Sequence, residues 1–245
     1  MQEFSMPFFE FHMSYEDVKH INLLNKEFWN NVKKSNAGFS IHLPDYISNK
    51  NLIDPLNKKN KSLREKSIKI IKLCIDFSLK IEDKTNKSCP IIGSFSVIND
   101  DRKITYNKLA EFLNNLTTNE GGILPQFLPK RAWYFGGAVD LELFCDINDT
   151  KYFSMFSNGI CLDTAHLIMA CNSAKGNIKE WFKKILPYAK HIHLADAKGM
   201  DAEGVRFGKG EFKINYMNRF KNNNRVILEQ WEGHLYNFKG FKDAL

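Results

Sequence analysis

The stretches that decide the fold are Gly159–His166 (GICLDTAH), His191–Asp196 (HIHLAD) and Arg225–Trp231 (RVILEQW). Each is a short apolar run, of strand length, with a carboxylate or an imidazole towards its C-terminal end. Working outward, four earlier runs are likewise apolar and of strand length: Phe8–Met13 (FFEFHM), Phe39–Leu43 (FSIHL), Pro90–Val97 (PIIGSFSV) and Gly122–Phe127 (GILPQF). Amphipathic stretches lie between them. Ser14–Lys34 starts with Ser14 as an N-cap and Asp17 three residues on, and Ser62–Ile81 carries a wide apolar helical face. Tyr106–Leu116, Asp149–Phe156, Asn177–Tyr188, Tyr216–Phe220 and Phe238–Leu245 are shorter helical candidates. Strands alternating with helices predict βα units around a parallel sheet, an α/β barrel.

The count is seven strands, and a closed barrel of this class takes eight. Either Met1–Met6 holds a remnant strand or the first βα unit is absent. Residues 1–245 are expected to form one barrel domain, standing alone or as part of a longer polypeptide.

Composition sets the frame. With 245 residues and 43% hydrophobic content the chain can bury one sizeable core. The formal charge of +7 is spread among asparagines and isoleucines, so a Lys/Asn/Ile bias accounts for it as well as an anionic ligand does. Five cysteines (Cys74, Cys89, Cys145, Cys161 and Cys171) form no CxxC pair and no even framework, which argues against disulfides and a thiolate zinc site. No apolar run reaches the roughly 18–20 residues of a membrane span. No basic leader is evident, and a cytoplasmic location is the expectation.

Polar residues gather at the C-terminal ends of the runs: Glu10 and His12, His42 and Asp45, Gln126, Asp163 and His166, His193 and Asp196, and Glu229. In a parallel barrel these ends share one rim, where active sites are built. His191 and His193 are two apart and share one strand face. Either serves a metal or substrate, or is a satisfied structural histidine. Asp163 and His166, three apart, can reach one ligand, and with Glu229 they make a hard-to-borderline site for Mn, Co, Zn or Mg. The competing roles are an N-cap for Asp163 and an arginine ion pair for Glu229.

DTAH at Asp163–His166, HLAD at His193–Asp196, the glycine-rich GVRFGKGE at Gly204–Glu211, and Leu228–Glu229 resemble the xylose isomerase-like barrel superfamily. That group includes sugar and sugar-phosphate isomerases and epimerases and the endonuclease IV class of apurinic-site nucleases. The resemblance implies one divalent metal held by Asp163, His193 and Glu229, with His166 as the substrate contact. The fourth ligand is ordinarily a glutamate, and its place is held by Gln126, which can coordinate but cannot act as a carboxylate base. Two-base proton transfer is thereby in doubt. Glu229 and His166 are the candidate catalytic groups, and His12, His42, His166, Trp133 and Arg206 the candidate substrate contacts.

The expected partner is a small-molecule sugar or sugar phosphate, not a membrane or nucleic acid. A nuclease of the endonuclease IV kind calls for a histidine in the third run, where this chain has Gly93-Ser94. A non-catalytic barrel with a degenerate site is the remaining reading. Gln126, the WYFGG run at Trp133–Gly137 and Gly233–Leu245 resemble a subgroup associated with bacterial surface-sugar biosynthesis, sometimes joined to sialic acid synthase-like domains. Gly204–Gly210, with Arg206 and Lys209, reads either as an anion cradle of backbone N–H groups or as a plain loop.

Overall fold

The structure is a computed structural model that describes residues 8–48, 51–116, 121–134, 137–221 and 223–229. The candidate strand in Met1–Met6 and the candidate helix Phe238–Leu245 lie outside these residues. The chain divides into two compact units, one of residues 1–95 and 99–124, the other of residues 96–98 and 125–245.

In the first unit β1 (Phe8–His12) and β2 (Gly38–His42) pair in parallel, residue for residue from Phe8↔Gly38 to His12↔His42. A hairpin of β3 (Tyr46–Ser48) and β4 (Asn51–Leu52) follows. β2 also pairs in parallel with β5 (Ile91–Gly93), and β6 (Ile123–Pro125) completes the order β1-β2-β5-β6. All five residues of β2 are buried, as expected of a strand covered on both faces.

The expected helix Ser14–Lys34 is two helices, α1 (Tyr15–His20) and α2 (Lys26–Lys34). Ser14 and Asp17 form the reciprocal capping box. The break comes where Leu24 turns extended and Asn25 caps a new helix through Phe28 N. The long α3 (Lys61–Thr85) starts on Asn60 and ends at left-handed Asn86. It buries Ile70, Ile71, Cys74, Ile75, Phe77, Ser78 and Ile81, a stripe of helical spacing. Burial pushes the Cys74 thiol up to about 12, so it packs as an inert group. α4 (Arg102–Leu116) buries Tyr106, Leu109 and Leu113 in the same way.

The second unit holds the hairpin β7 (Arg131–Tyr134) and β8 (Gly137–Asp140) and the short α5 (Thr150–Phe153). Next come β9 (Ile160–Asp163), α6 (Thr164–Ser173), α7 (Ile178–Ile185) and β10 (Ala189–Leu194). The hairpin β11 (Asp196–Lys198) and β12 (Ala202–Val205) precedes β13 (Arg225–Leu228). β13, β10 and β9 form a parallel sheet. Gln126, directly after β6, makes an isolated parallel bridge to Cys161.

Tyr216–Phe220, expected as a helix, falls in a 3-10 turn over Ile214–Arg219 that stacks Tyr216 on Phe182. All five cysteines are buried, and none is in a disulfide. Among the described residues no helix is long and apolar enough to cross a membrane.

Candidate metal centre

Parallel register assembles the site. Asp163 ends β9 directly beside His193 of β10, and Glu229 follows β13 with its N–H on the Leu194 carbonyl (3.0 Å). Ligand atoms of Asp163, His193 and Glu229 lie within 4.8 Å of one another. His193 Nδ1 is 3.3 Å from Glu229 Oε2 and 3.7 Å from Asp163 Oδ2. Gln126 reaches the same point: its Nε2 is 3.2 Å from Asp163 Oδ2, 3.2 Å from His193 Nδ1 and 3.4 Å from His166 Nδ1. A half-turn of the amide exchanges its nitrogen for its oxygen, so Gln126 can present an acceptor there. Asp163, His193 and Gln126 are almost wholly buried, whereas the Glu229 side chain is 36% exposed.

Asp163 caps a helix and also lines the cluster. Oδ1 accepts from His166 N (2.9 Å) and caps α6, while Oδ2 faces the cluster. Burial disfavours its charge, but His166 and His193 outweigh burial and hold the carboxyl below the usual range. Thr164, unnoticed in the sequence, ties β9 to β10: its hydroxyl lies 2.5 Å from the Ala195 carbonyl and accepts from Ala195 N (2.9 Å).

His166 sits between two acceptors. Nδ1 is 3.1 Å from the Phe127 carbonyl and Nε2 is 3.0 Å from Glu203 Oε1. An imidazole with an oxygen acceptor at each nitrogen is held as imidazolium. Burial opposes that charge, yet Asp163, Glu203 and Glu229 raise the ring from 6.5 to about 10. Because the folded value exceeds the unfolded one, His166 stabilises the metal-free protein fully below about pH 6.5, and the contribution fades as pH rises towards 10. Urea midpoints of metal-free protein are therefore expected to fall across that window, and His166→Gln to flatten the fall. Equal pH slopes in both proteins would remove this role from His166.

Glu203 is the site residue that sequence reading missed. Lys198-Gly199-Met200-Asp201 is a turn with Gly199 at φ 69°, between two short strands, and it folds Glu203 back over His166.

Asp196, by contrast, points away from ligand chemistry. Its carboxylate accepts from four backbone N–H groups, those of Ala197, Gly208, Gly210 and Phe212, each at 2.9 Å. The glycine-rich loop is an anion cradle, and Asp196 is the anion it holds. A Cβ on Gly210 would overlap Asp196 Oδ1 and the Ala197 carbonyl, which explains a glycine there. Arg206 lies exposed in the turn that Lys209 N closes onto its carbonyl.

His191 is buried one step below His193, its ring 5.2 Å from that of His193. In the first unit His12 and His42 stack at 4.6 Å, and Asp45 approaches them. Trp133 lies in β7 opposite Ala138. The segment Gly233–Leu245 is outside the described residues.

A family profile described as xylose isomerase-like TIM barrel matches residues 2–243. The chain belongs to the xylose isomerase-like TIM barrel family. Its fold is accordingly that α/β barrel. Among solved structures, a D-tagatose 3-epimerase-like protein matches with a TM-score of 0.62 at 14% identity, over 99% of this chain and 91% of that one. The probable 3-DHS dehydratase AsbF, involved in petrobactin synthesis, from Bacillus anthracis, matches with 0.66 at 12% identity, over 98% and 87%. SacUVDE matches with 0.54 at 13% identity, over 96% and 78%. At these identities the likeness is one of fold. No curated protein matches the sequence.

Proposed function

We propose that the protein is a metal-dependent isomerase of a sugar or sugar phosphate. The observation that supports this reading is the convergence of Asp163, His193 and Glu229 on one point, with the Gln126 amide beside it. Two carboxylates and a buried imidazole are costly to gather without a cation, and their O/N character suits Mn, Co, Zn or Mg. Such an ion would polarise a substrate carbonyl and the hydroxyl next to it.

The remaining groups define what proton transfer is available. Glu229, partly exposed beside His193, is the carboxylate placed to take a proton from the carbon next to the carbonyl. The C–H electron pair becomes the double bond of an enediol. Gln126 has no proton to give back from a second side. Glu229 therefore returns the same proton to the neighbouring carbon, while a hydroxyl proton passes between the two oxygens. The net result is aldose–ketose interconversion rather than inversion at one carbon. His166, cationic between Phe127 and Glu203, binds an anionic substrate oxygen by sharing the hydrogen on Nε2.

The test is aldose–ketose conversion with added metal, over free and phosphorylated sugars, comparing wild type with Glu229→Gln. Loss of turnover in the variant is expected, and equal turnover would reject the assignment. Gln126→Glu is expected to tighten metal binding about tenfold, or about 1.4 kcal/mol. It should also introduce epimerised product by adding the second carboxylate. Unchanged affinity by calorimetry and an unchanged product would place Gln126 outside the centre.

A further inference from the structure

We infer that the first unit holds a second divalent-cation site, formed by His12, His42 and Asp45. The three come from adjoining elements. His12 and His42 end β1 and β2 as direct partners in the parallel register, so their side chains leave the sheet side by side. Asp45 follows three residues after His42. One ligand atom from each lies within 4.8 Å of the others, and His12 Nε2 is 3.8 Å from Asp45 Oδ2. Tetrahedral ligands at about 2.0–2.1 Å from a metal stand roughly 3.3 Å apart, so a small side-chain shift completes the site.

The tautomer of His42 suits it. Nδ1 lies 2.7 Å from the Leu43 carbonyl, which can only accept, so Nδ1 carries the hydrogen and Nε2 the lone pair. Asp45 decides the sign of the ligand: a carboxylate beside both rings repels phosphate or a sugar acid and favours a cation. Two imidazoles and one carboxylate are a borderline set, fit for Zn or Co, with coordination positions left to solvent. His42 is 4% exposed and the His12 side chain 61%, so the buried ligand fixes the site and the exposed one gives entry.

The experiment is cobalt titration of the full chain after chelation, followed by visible absorption and equilibrium dialysis. Wild type is expected to bind two equivalents. His12→Ala, a change at an exposed side chain that spares the fold, should bind one, as should Asp45→Asn. Asp163→Asn should lose the other equivalent and keep this one. A wild type with one equivalent that disappears in His12→Ala upholds this site while rejecting the centre at Asp163. If His12→Ala and Asp45→Asn bind as many ions as wild type with equal affinity, or if wild type binds none, the site does not exist.

Discussion

Asp163→Asn is expected to leave a folded protein that has lost its metal at the Asp163 centre. Oδ1 caps α6 through His166 N, and Asn caps a helix about as well as Asp, so the local fold survives. Oδ2 is the part turned to His193 and Gln126, and there the substitution replaces a charge by a neutral amide. Affinity at that centre should fall by more than the roughly 10–100-fold that follows loss of an outer hydrogen-bond partner to a metal ligand. Asp163→Ala should lose both functions, with a further cost of about 1 kcal/mol from the missing cap. Calorimetric titration and urea unfolding of the two variants separate the roles. If Asp163→Asn binds metal like wild type, Asp163 is a cap alone.

Asp196→Ala is expected to give the largest loss of stability of any single change considered. Four backbone N–H groups converge on this 1% exposed carboxylate. A hydrogen bond to a charged acceptor contributes about 1.5–3 kcal/mol, and the amides of Gly208 and Gly210 are near enough to solvent to regain water. A net cost of roughly 3–5 kcal/mol follows, a fall in Tm of about 10 °C for a chain of this size. Gly210→Ala should act in the same direction, since its Cβ needs the space that Asp196 and the Ala197 carbonyl occupy. Thermal unfolding of metal-free protein checks both. A change of less than about 1 kcal/mol in Asp196→Ala would show that the cradle is not structural.

The seven apolar runs became the seven strands of the two parallel-built sheets, because burial on both faces leaves a continuous apolar signature that survives without context. What the periodicity did not carry were the three hairpins, whose strands of two to four residues are too short to show an alternation. The split of α1 from α2 was written in Asn25, a cap inside an otherwise continuous amphipathic stretch. Asp163, His193 and Glu229 were legible because strand-end positions in a parallel sheet converge whatever the loops do. Glu203 and the Phe127 carbonyl were not: one reaches His166 from a hairpin, and the other is backbone. Asp196 was legible as a polar strand end but not in its role, since three of its four partners lie 12 to 16 residues on, in a loop whose glycines suit an internal carboxylate as well as an external anion.

Anomalous scattering at the metal edge, from crystals of protein grown with Mn or Co, tests the proposed centre most directly. A peak bonded to Asp163 Oδ2, His193 Nδ1 and a Glu229 oxygen, with the Gln126 amide turned to present its oxygen, is the expected result. An ordered site with Asp163, His193 and Glu229 in their hydrogen-bonded places and no anomalous peak between them, at saturating metal, would contradict it.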